Sequence, residues 1–242
     1  MSHNPIDADP AGPSAEVYLL GTISFAQLLF LQEAVVEHVH GRPDGQVGLL
    51  LCEHPPLITV GRAGSAADVR THAGLIRHGQ IEVRWVKRGG GTIVHAPGQL
   101  AVYPIVPLRW HGFSVGEFVD LLETALVRTL QALGFQVERR ASQPGVFGRS
   151  GLLAPVGLAV RHWVTCHGAF INIAPPMGLF HLLSYQNDPA RRMGSLAAEQ
   201  RKPVPPTTVR AELIAQLTET LGLGRYHLHT GHPLLRHPPA RR

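Results

Sequence analysis

Apolar positions along this chain switch between a helical and an alternating rhythm, and the switches mark most of its elements. Leu28, Leu31 and Val35 share one face of a helix predicted over Phe25–His40, with Ser24 as N-cap and Gly41 as stop. Val17–Gly21, Val47–Cys52 and Leu57–Val60 read as strands, the last two separated by the turn-forcing Glu53-His54-Pro55-Pro56. The segment 62–79 shows neither rhythm and reads as a mobile surface stretch. A second helix opens on the capping box Ser114/Glu117, carries the stripe Phe118, Leu121, Leu122, Ala125, Leu126, Thr129 and Leu133, and ends at Gly134. Phe135–Arg139, Leu152–Arg161 and Trp163–Ile173 read as strands, and Pro175-Pro176 closes that set. A last helix is predicted over Val209–Leu221, capped by Thr208 and stopped by Gly222, after the Pro-rich linker Lys202–Pro206. Strands clustered between long helices indicate an α+β domain with a mixed sheet packed by helices.

Composition sets the outer bounds. The chain has 242 residues, enough for one substantial core, and its apolar share of 44% suits a globular protein. No apolar run approaches the ~20 residues of a membrane span. The polar stretch 1–15 reads as a flexible leader without secretory-signal character, 16–222 as one domain, and 223–242 as a loosely ordered His/Pro/Arg-rich tail. The tail's four histidines are weak metal candidates, because no acidic or cysteine ligands accompany them in sequence. Cys52 and Cys166 are the only cysteines and lack metal-site spacing, which points to a reducing cytoplasm. The net charge of +5 comes almost wholly from arginine. No basic run interleaved with aromatics suggests nucleic acid, while a basic surface suits acidic protein partners.

The richest chemistry lies in Arg88-Gly89-Gly90-Gly91-Thr92-Ile93-Val94-His95-Ala96-Pro97-Gly98-Gln99, set between the β-forming runs Ile81–Lys87 and Leu100–Val106. Three glycines after a cation let a ligand approach the main chain closely, and Arg88 and His95 flank that approach. A flexible hairpin would carry the same composition, so the loop alone does not decide.

Three separated segments, in order, resemble the lipoyl(octanoyl) transferases, within the wider biotin and lipoate protein ligase fold. They are Glu53-His54-Pro55-Pro56 with Gly61-Arg62, then Arg88–Pro104, then Gly145–Ile173, where Gly157, Arg161, Trp163-Val164-Thr165 and His167-Gly168 keep the family's spacing. The likeness spans about Val17 to Gly222. It implies transfer of an octanoyl group from acyl carrier protein to a lysine of a lipoyl domain, in 2-oxoacid dehydrogenase or glycine cleavage proteins, with no cofactor. It also implies an acyl-thioester pocket walled by Arg88, Gly89, Gly90, Gly91, Thr92, Ile93, Val94 and His95, with Pro155, Val156, Gly157, Gly168, Ala169 and Phe170 supplying the rest. Taken by themselves, Gly157 and Gly168 fit close strand packing equally well.

The family's chemistry rests on a cysteine nucleophile and a lysine, and the corresponding positions here hold Gln186 and Leu152. A neutral amide forms no acyl-thioester, and a leucine holds no thiolate in its charged form. Cys52 lies in an apolar strand and reads as a small core residue. Cys166 adjoins His167, but strand alternation would send the two side chains to opposite faces. Cys166, His95 and His167 remain the candidate catalytic residues, with Cys166 as a relocated nucleophile and either histidine as base for direct attack by a lysine. A non-catalytic homologue that binds acyl carrier or lipoyl domains is the competing reading. An ATP-dependent ligase is the weakest, since its pocket lysine is also Leu152 and no phosphate loop replaces it.

Overall fold

The structure is a computed structural model that describes residues 12–70, 74–141, 143–187, 192–200 and 203–236. Its centre is a mixed sheet of eight strands. In chain order these are β1 (Ser14–Thr22), β2 (Val47–Glu53), β6 (Gln99–Ile105), β7 (Glu138–Arg140), β8 (Gln143–Gly148), β9 (Gly151–Arg161), β10 (Val164–Asn172) and β11 (Arg225–Thr230). Their spatial order is β11-β1-β2-β6-β10-β9-β8-β7. A second, three-stranded sheet is formed by β3 (Leu57–Val60), β4 (Glu82–Trp85) and β5 (Thr92–His95), with β3 in the middle.

Two helices cover one face of the large sheet. They are α4 (Val115–Ala132) and α6 (Pro206–Thr220), and Phe118, Leu122, Leu126, Leu213 and Leu217 meet Leu49, Val102 and Ala169 there. Helix α1 (Phe25–His40) covers the other face, where Leu28, Leu31 and Val35 pack with Leu50, Tyr103 and Phe170. The capping boxes expected at Ser24 and Ser114 are both made. Short helical turns complete the chain: α2 (Gly74–Arg77), α3 (Leu108–His111), α5 (Leu196–Glu199) and α7 (Pro233–Arg236). None of the helices described is long and apolar enough to cross a membrane.

Five local expectations change. The tail expected over 223–242 contains β11, parallel to β1. Its anchors are distant in sequence: Glu16 takes His227 Nδ1 at 2.8 Å and His229 Nε2 at 2.5 Å, and Tyr18 stacks on His229. The acidic partner those histidines lacked in sequence thus arrives from β1, although no metal-holding cluster occurs among the described residues. Likewise β1 begins at Ser14, inside the stretch expected as leader, of which 1–11 lie outside the described residues.

The segment 62–79 is tied down over its first part rather than mobile. Asp68 caps its own turn at Ser65 and takes the Thr92 hydroxyl at 2.8 Å, and Arg70 N–H donates to Leu182 O at 2.8 Å. The strand expected at Phe135–Arg139 is shorter and later, because Gly134 (φ 83°) and the Phe135 N–H to Leu130 O bond extend the end of α4. Helix α6 starts at Pro206 and not at Val209, proline being preset for the first helical position.

Candidate active site

The glycine-rich loop joins β4 to β5, and a buried hydrogen-bond chain holds it. Arg88 is 1% exposed, and its guanidinium turns back into its own loop. Nη1 donates to Gly89 O (3.0 Å) and Gly91 O (2.9 Å), and Nη2 to Thr59 O (3.0 Å) and Thr59 Oγ1 (2.7 Å). Burial pushes the Arg88 pKa down to about 10. Because Thr59 Oγ1 accepts from Arg88, its own proton goes to His95 Nε2, 2.8 Å away. His95 therefore carries its proton on Nδ1 and donates it to Gln99 Oε1 at 2.9 Å. The Gln99 amide passes on to Asn172 Oδ1 at 2.8 Å, and the Asn172 amide ends on Gly194 O at 2.9 Å. Every member of this chain donates in one direction, from Arg88 to the backbone at Gly194.

This changes the role of His95. Both its ring nitrogens are occupied, it is wholly buried, and Phe170 packs on it edge-to-face at 4.6 Å. Burial, then the neighbouring His54 and Arg88, hold it far below the usual imidazole pKa. A group so placed keeps the loop in shape and has no nitrogen left for a substrate proton. The sequence reading gave no role to Thr59, Gln99 or Asn172, yet Thr59 is the lone polar residue of β3, Gln99 opens apolar β6 and Asn172 ends β10, places that signal buried hydrogen bonding. His54 is locked in the same way, with Nδ1–H on Ile23 O (2.8 Å) and Nε2 taking the Tyr103 hydroxyl (2.7 Å).

The glycines fit the loop against β9. A Cβ on Gly157 would lie 2.6 Å from Gly89 O and 3.1 Å from Arg88 Nη1, and one on Gly61 would lie 2.5 Å from Gly90 O. Gly89 N–H donates to Leu158 O at 2.6 Å. Gly157 stands opposite Gly168 in the β9–β10 ladder, and a Cβ on Gly168 would strike Val102 O. Close backbone packing is thus the immediate reason for these glycines. Not all of the expected pocket wall comes together. Ile93 and Phe170 share the α1-side cluster, Val94 joins the small-sheet cluster, and Pro155 is buried opposite Gly145. Val156 and Ala169 point into the α4/α6 core, away from the loop, as their places in the pleat require.

His167 and Cys166 are adjacent in β10, Cys166 packing on the α1 side. His167 has a left-handed backbone (φ 58°) inside β10, held by a 2.6 Å bond from its N–H to the buried Gln32 Oε1 of α1. Its imidazole is buried, with the pKa pushed down to about 4 by burial, then by the Arg88 and Arg62 charges. Cys166 also lies within the field of Arg62, but burial dominates and pushes its thiol up. No hydrogen bond joins the two side chains among the described residues. Lys87 is exposed, and Cys52 is a buried thiol pushed strongly up by burial.

Leu152, 1% exposed, packs with Ile58, Val94, Phe147, Phe180, Leu183 and Met193. Its backbone is clasped by the segment 192–194, with Leu152 N–H to Arg192 O and Gly194 N–H to Leu152 O, each 2.9 Å. The turn Ser184–Asn187 passes nearby, and the Tyr185 hydroxyl donates to Thr92 O of the loop. The side chain of Gln186 lies outside the described residues.

Residues 25–218 match the lipoyl protein ligase A/B catalytic domain. The chain belongs to this family. A relative named octanoyltransferase from Chloroflexus aggregans is 37% identical over 207 residues, covering 83% of this chain and 92% of its own. Another, from Nitratidesulfovibrio vulgaris, is 33% identical over 180 residues, covering 74% and 82%. Among solved structures, lipoate-protein ligase A bound with ATP superposes with a TM-score of 0.74 at 17% identity, over 91% of this chain and 90% of that one. The α+β architecture is therefore that of the lipoate ligase fold. Within this lipoyl ligase-type domain, the glycine loop and its hydrogen-bond chain are complete, while the position expected for the lysine is closed apolar core.

Proposed function

We propose that this protein is an octanoyltransferase-type acyltransferase that works without a covalent enzyme intermediate. An acyl group held as a carrier thioester is attacked directly by a lysine amine of a lipoyl domain. The new C–N bond forms as the C–S bond breaks, the sulfur leaves with the bonding electrons, and the amine's proton ends on that thiol. Acyl carrier protein is the donor in this reading, the lipoyl domains of 2-oxoacid dehydrogenase or glycine cleavage proteins are the acceptors, and the cytoplasm is the compartment.

The observation that carries the reading is the contrast between loop and dyad positions. Arg88, Thr59, His95 and Gln99 form an unbroken buried chain that holds one loop shape in place for a ligand. Leu152 meanwhile lies sealed among apolar side chains. Positioning and carbonyl polarisation can drive aminolysis without a protein nucleophile. Cys166 is a poor substitute, since burial raises its thiol pKa.

The test mixes the protein with octanoyl-acyl carrier protein and a lipoyl domain, and reads intact masses of all three. Octanoyl-lipoyl domain with no adduct on the protein supports direct aminolysis. An alkylation-sensitive adduct at Cys166 supports the relocated nucleophile instead. Carrier binding with neither product nor adduct supports the binding homologue, which the sealed Leu152 site also suits.

A further inference from the structure

Two buried nitrogens beside the glycine loop have no hydrogen-bond partner: Arg88 Nε and His167 Nδ1. Every other guanidinium nitrogen of Arg88 is spent on loop carbonyls or Thr59, so Nε alone is left without a partner. The two residues are 1% and 6% exposed and flank the same glycines: Arg88 Cδ lies 3.2 Å from a Cβ built on Gly157, and Gly157 pairs with Gly168, the residue after His167. Leaving two buried polar atoms unsatisfied is destabilising in a resting protein. His167 adds a second cost, because a β-strand residue with a side chain seldom adopts a φ of 58°. That conformation is held from α1, where Gln32 Oε1 takes the His167 N–H at 2.6 Å. Costs concentrated at one point, and enforced by a buried side chain from another element, fit a group kept for a ligand.

Building on the acyl-transfer reading, we propose that Arg88 Nε–H and His167 Nδ1–H together grip the carbonyl oxygen of the acyl donor, with Gln32 as the positioning residue. A neutral acceptor oxygen satisfies both nitrogens at once. When the amine adds, negative charge grows on that same oxygen, and donors already aimed at it need not reorganise. The neutral imidazole fits this role: it donates one proton and adds no further charge beside Arg88 and Arg62.

The test uses the full chain and two probes. One is octanoyl-pantetheine with its thioester sulfur replaced by NH, which keeps the carbonyl. The other is S-octyl-pantetheine, which has the same chain without the carbonyl. The wild-type protein binds the amide about tenfold or more tightly than the thioether. His167→Gly accommodates the left-handed backbone, so its Tm rises, yet its preference for the amide falls to within about twofold. Gln32→Leu loses the preference too, whereas Gln32→Glu, which keeps an acceptor oxygen, retains most of it. In 15N-histidine spectra, the Nδ1 signal of His167 shifts with the amide and not with the thioether.

Persistence of the preference in His167→Gly overturns the carbonyl grip, as does equal binding of both probes by the wild type; in either case acyl binding stands. Failure of the wild type to bind either probe overturns the acyl reading itself, and the grip with it.

Discussion

Thr59 Oγ1 lies 2.8 Å from His95 Nε2 and 2.7 Å from Arg88 Nη2, so one hydroxyl sets both the tautomer of the imidazole and the fold of the guanidinium. Thr59→Val keeps the shape and β-branching of the side chain but leaves two buried groups short of a partner. The expected cost is roughly 2–4 kcal/mol, read as a lower urea midpoint with an unchanged slope. A neutral result would mean that the chain from Arg88 to Gly194 is not what secures the loop.

Leu152 is enclosed by Phe147, Phe180, Leu183 and Met193. Leu152→Lys puts an ammonium into that cluster and is expected to cost about 3 kcal/mol or more. The buried lysine binds its proton less tightly than the unfolded one. Stability of this variant relative to wild type therefore recovers as pH rises toward about 10. Adding Gln186→Cys is not expected to create transfer activity, since Leu152 lies inside the core. Octanoyl transfer by that double variant at wild-type stability would contradict the packing described.

Acid is expected to unfold this protein through its buried imidazoles. His95 is held well below its ordinary pKa, His54 is lowered, and His167 is pushed to about 4, with burial the leading cause in each. The unfolded chain takes up these protons near pH 6.5 while the native state does not. Stability is therefore full above that pH and falls below it, the His167 share levelling off near 4. Each neutral imidazole removes about 1.4 kcal/mol per pH unit in that window. Urea midpoints from pH 7 to 4 should fall steeply, and less so in His167→Gly.

Gly157→Ala brings a methyl to 2.6 Å from Gly89 O and 3.1 Å from Arg88 Nη1. The loop has to lift from β9, which breaks the Gly89–Leu158 bond and wets Arg88. A loss of about 1–3 kcal/mol is expected, with faster amide exchange at Gly89 as the local marker. Unchanged exchange there would show that β9 yields instead of the loop.

Glu16 receives both His227 and His229. Glu16→Gln offers one acceptor where two donors converge, so β11 should fray while α4 and α6 keep their protection. Hydrogen exchange across Arg225–Thr230 reads this directly. Equal protection in the variant would assign the docking of β11 to its backbone ladder with β1 alone.

How much of this was legible beforehand follows the range of the interactions. Local signals worked: Ser24 and Ser114 announced their helices because an N-cap is settled within three residues. The three motif segments identified the family because residue identity and order along the chain carry that signal without any contact in space. Signals failed where the partner is remote. Nothing near His227 and His229 predicts Glu16, some 211 positions away for the first pair. Nothing local to His167 announces its left-handed backbone or the Gln32 oxygen, 135 positions upstream, that takes its N–H.

The sequence by itself determined the α+β class, the family and the glycine loop, and it raised the expectation that Gln186 and Leu152 stand where the family carries its cysteine and lysine. These depend on residue identity, local spacing and hydrophobic rhythm. Only the tertiary structure decided which neighbours those residues meet. His95 is wholly buried with both ring nitrogens hydrogen-bonded, and Leu152 lies in an apolar cluster. Arg88 Nε and His167 Nδ1 were left as buried nitrogens without a partner. Burial and hydrogen-bond partnership are properties of neighbours in space, and in a sheet of mixed strands those neighbours come from every part of the chain.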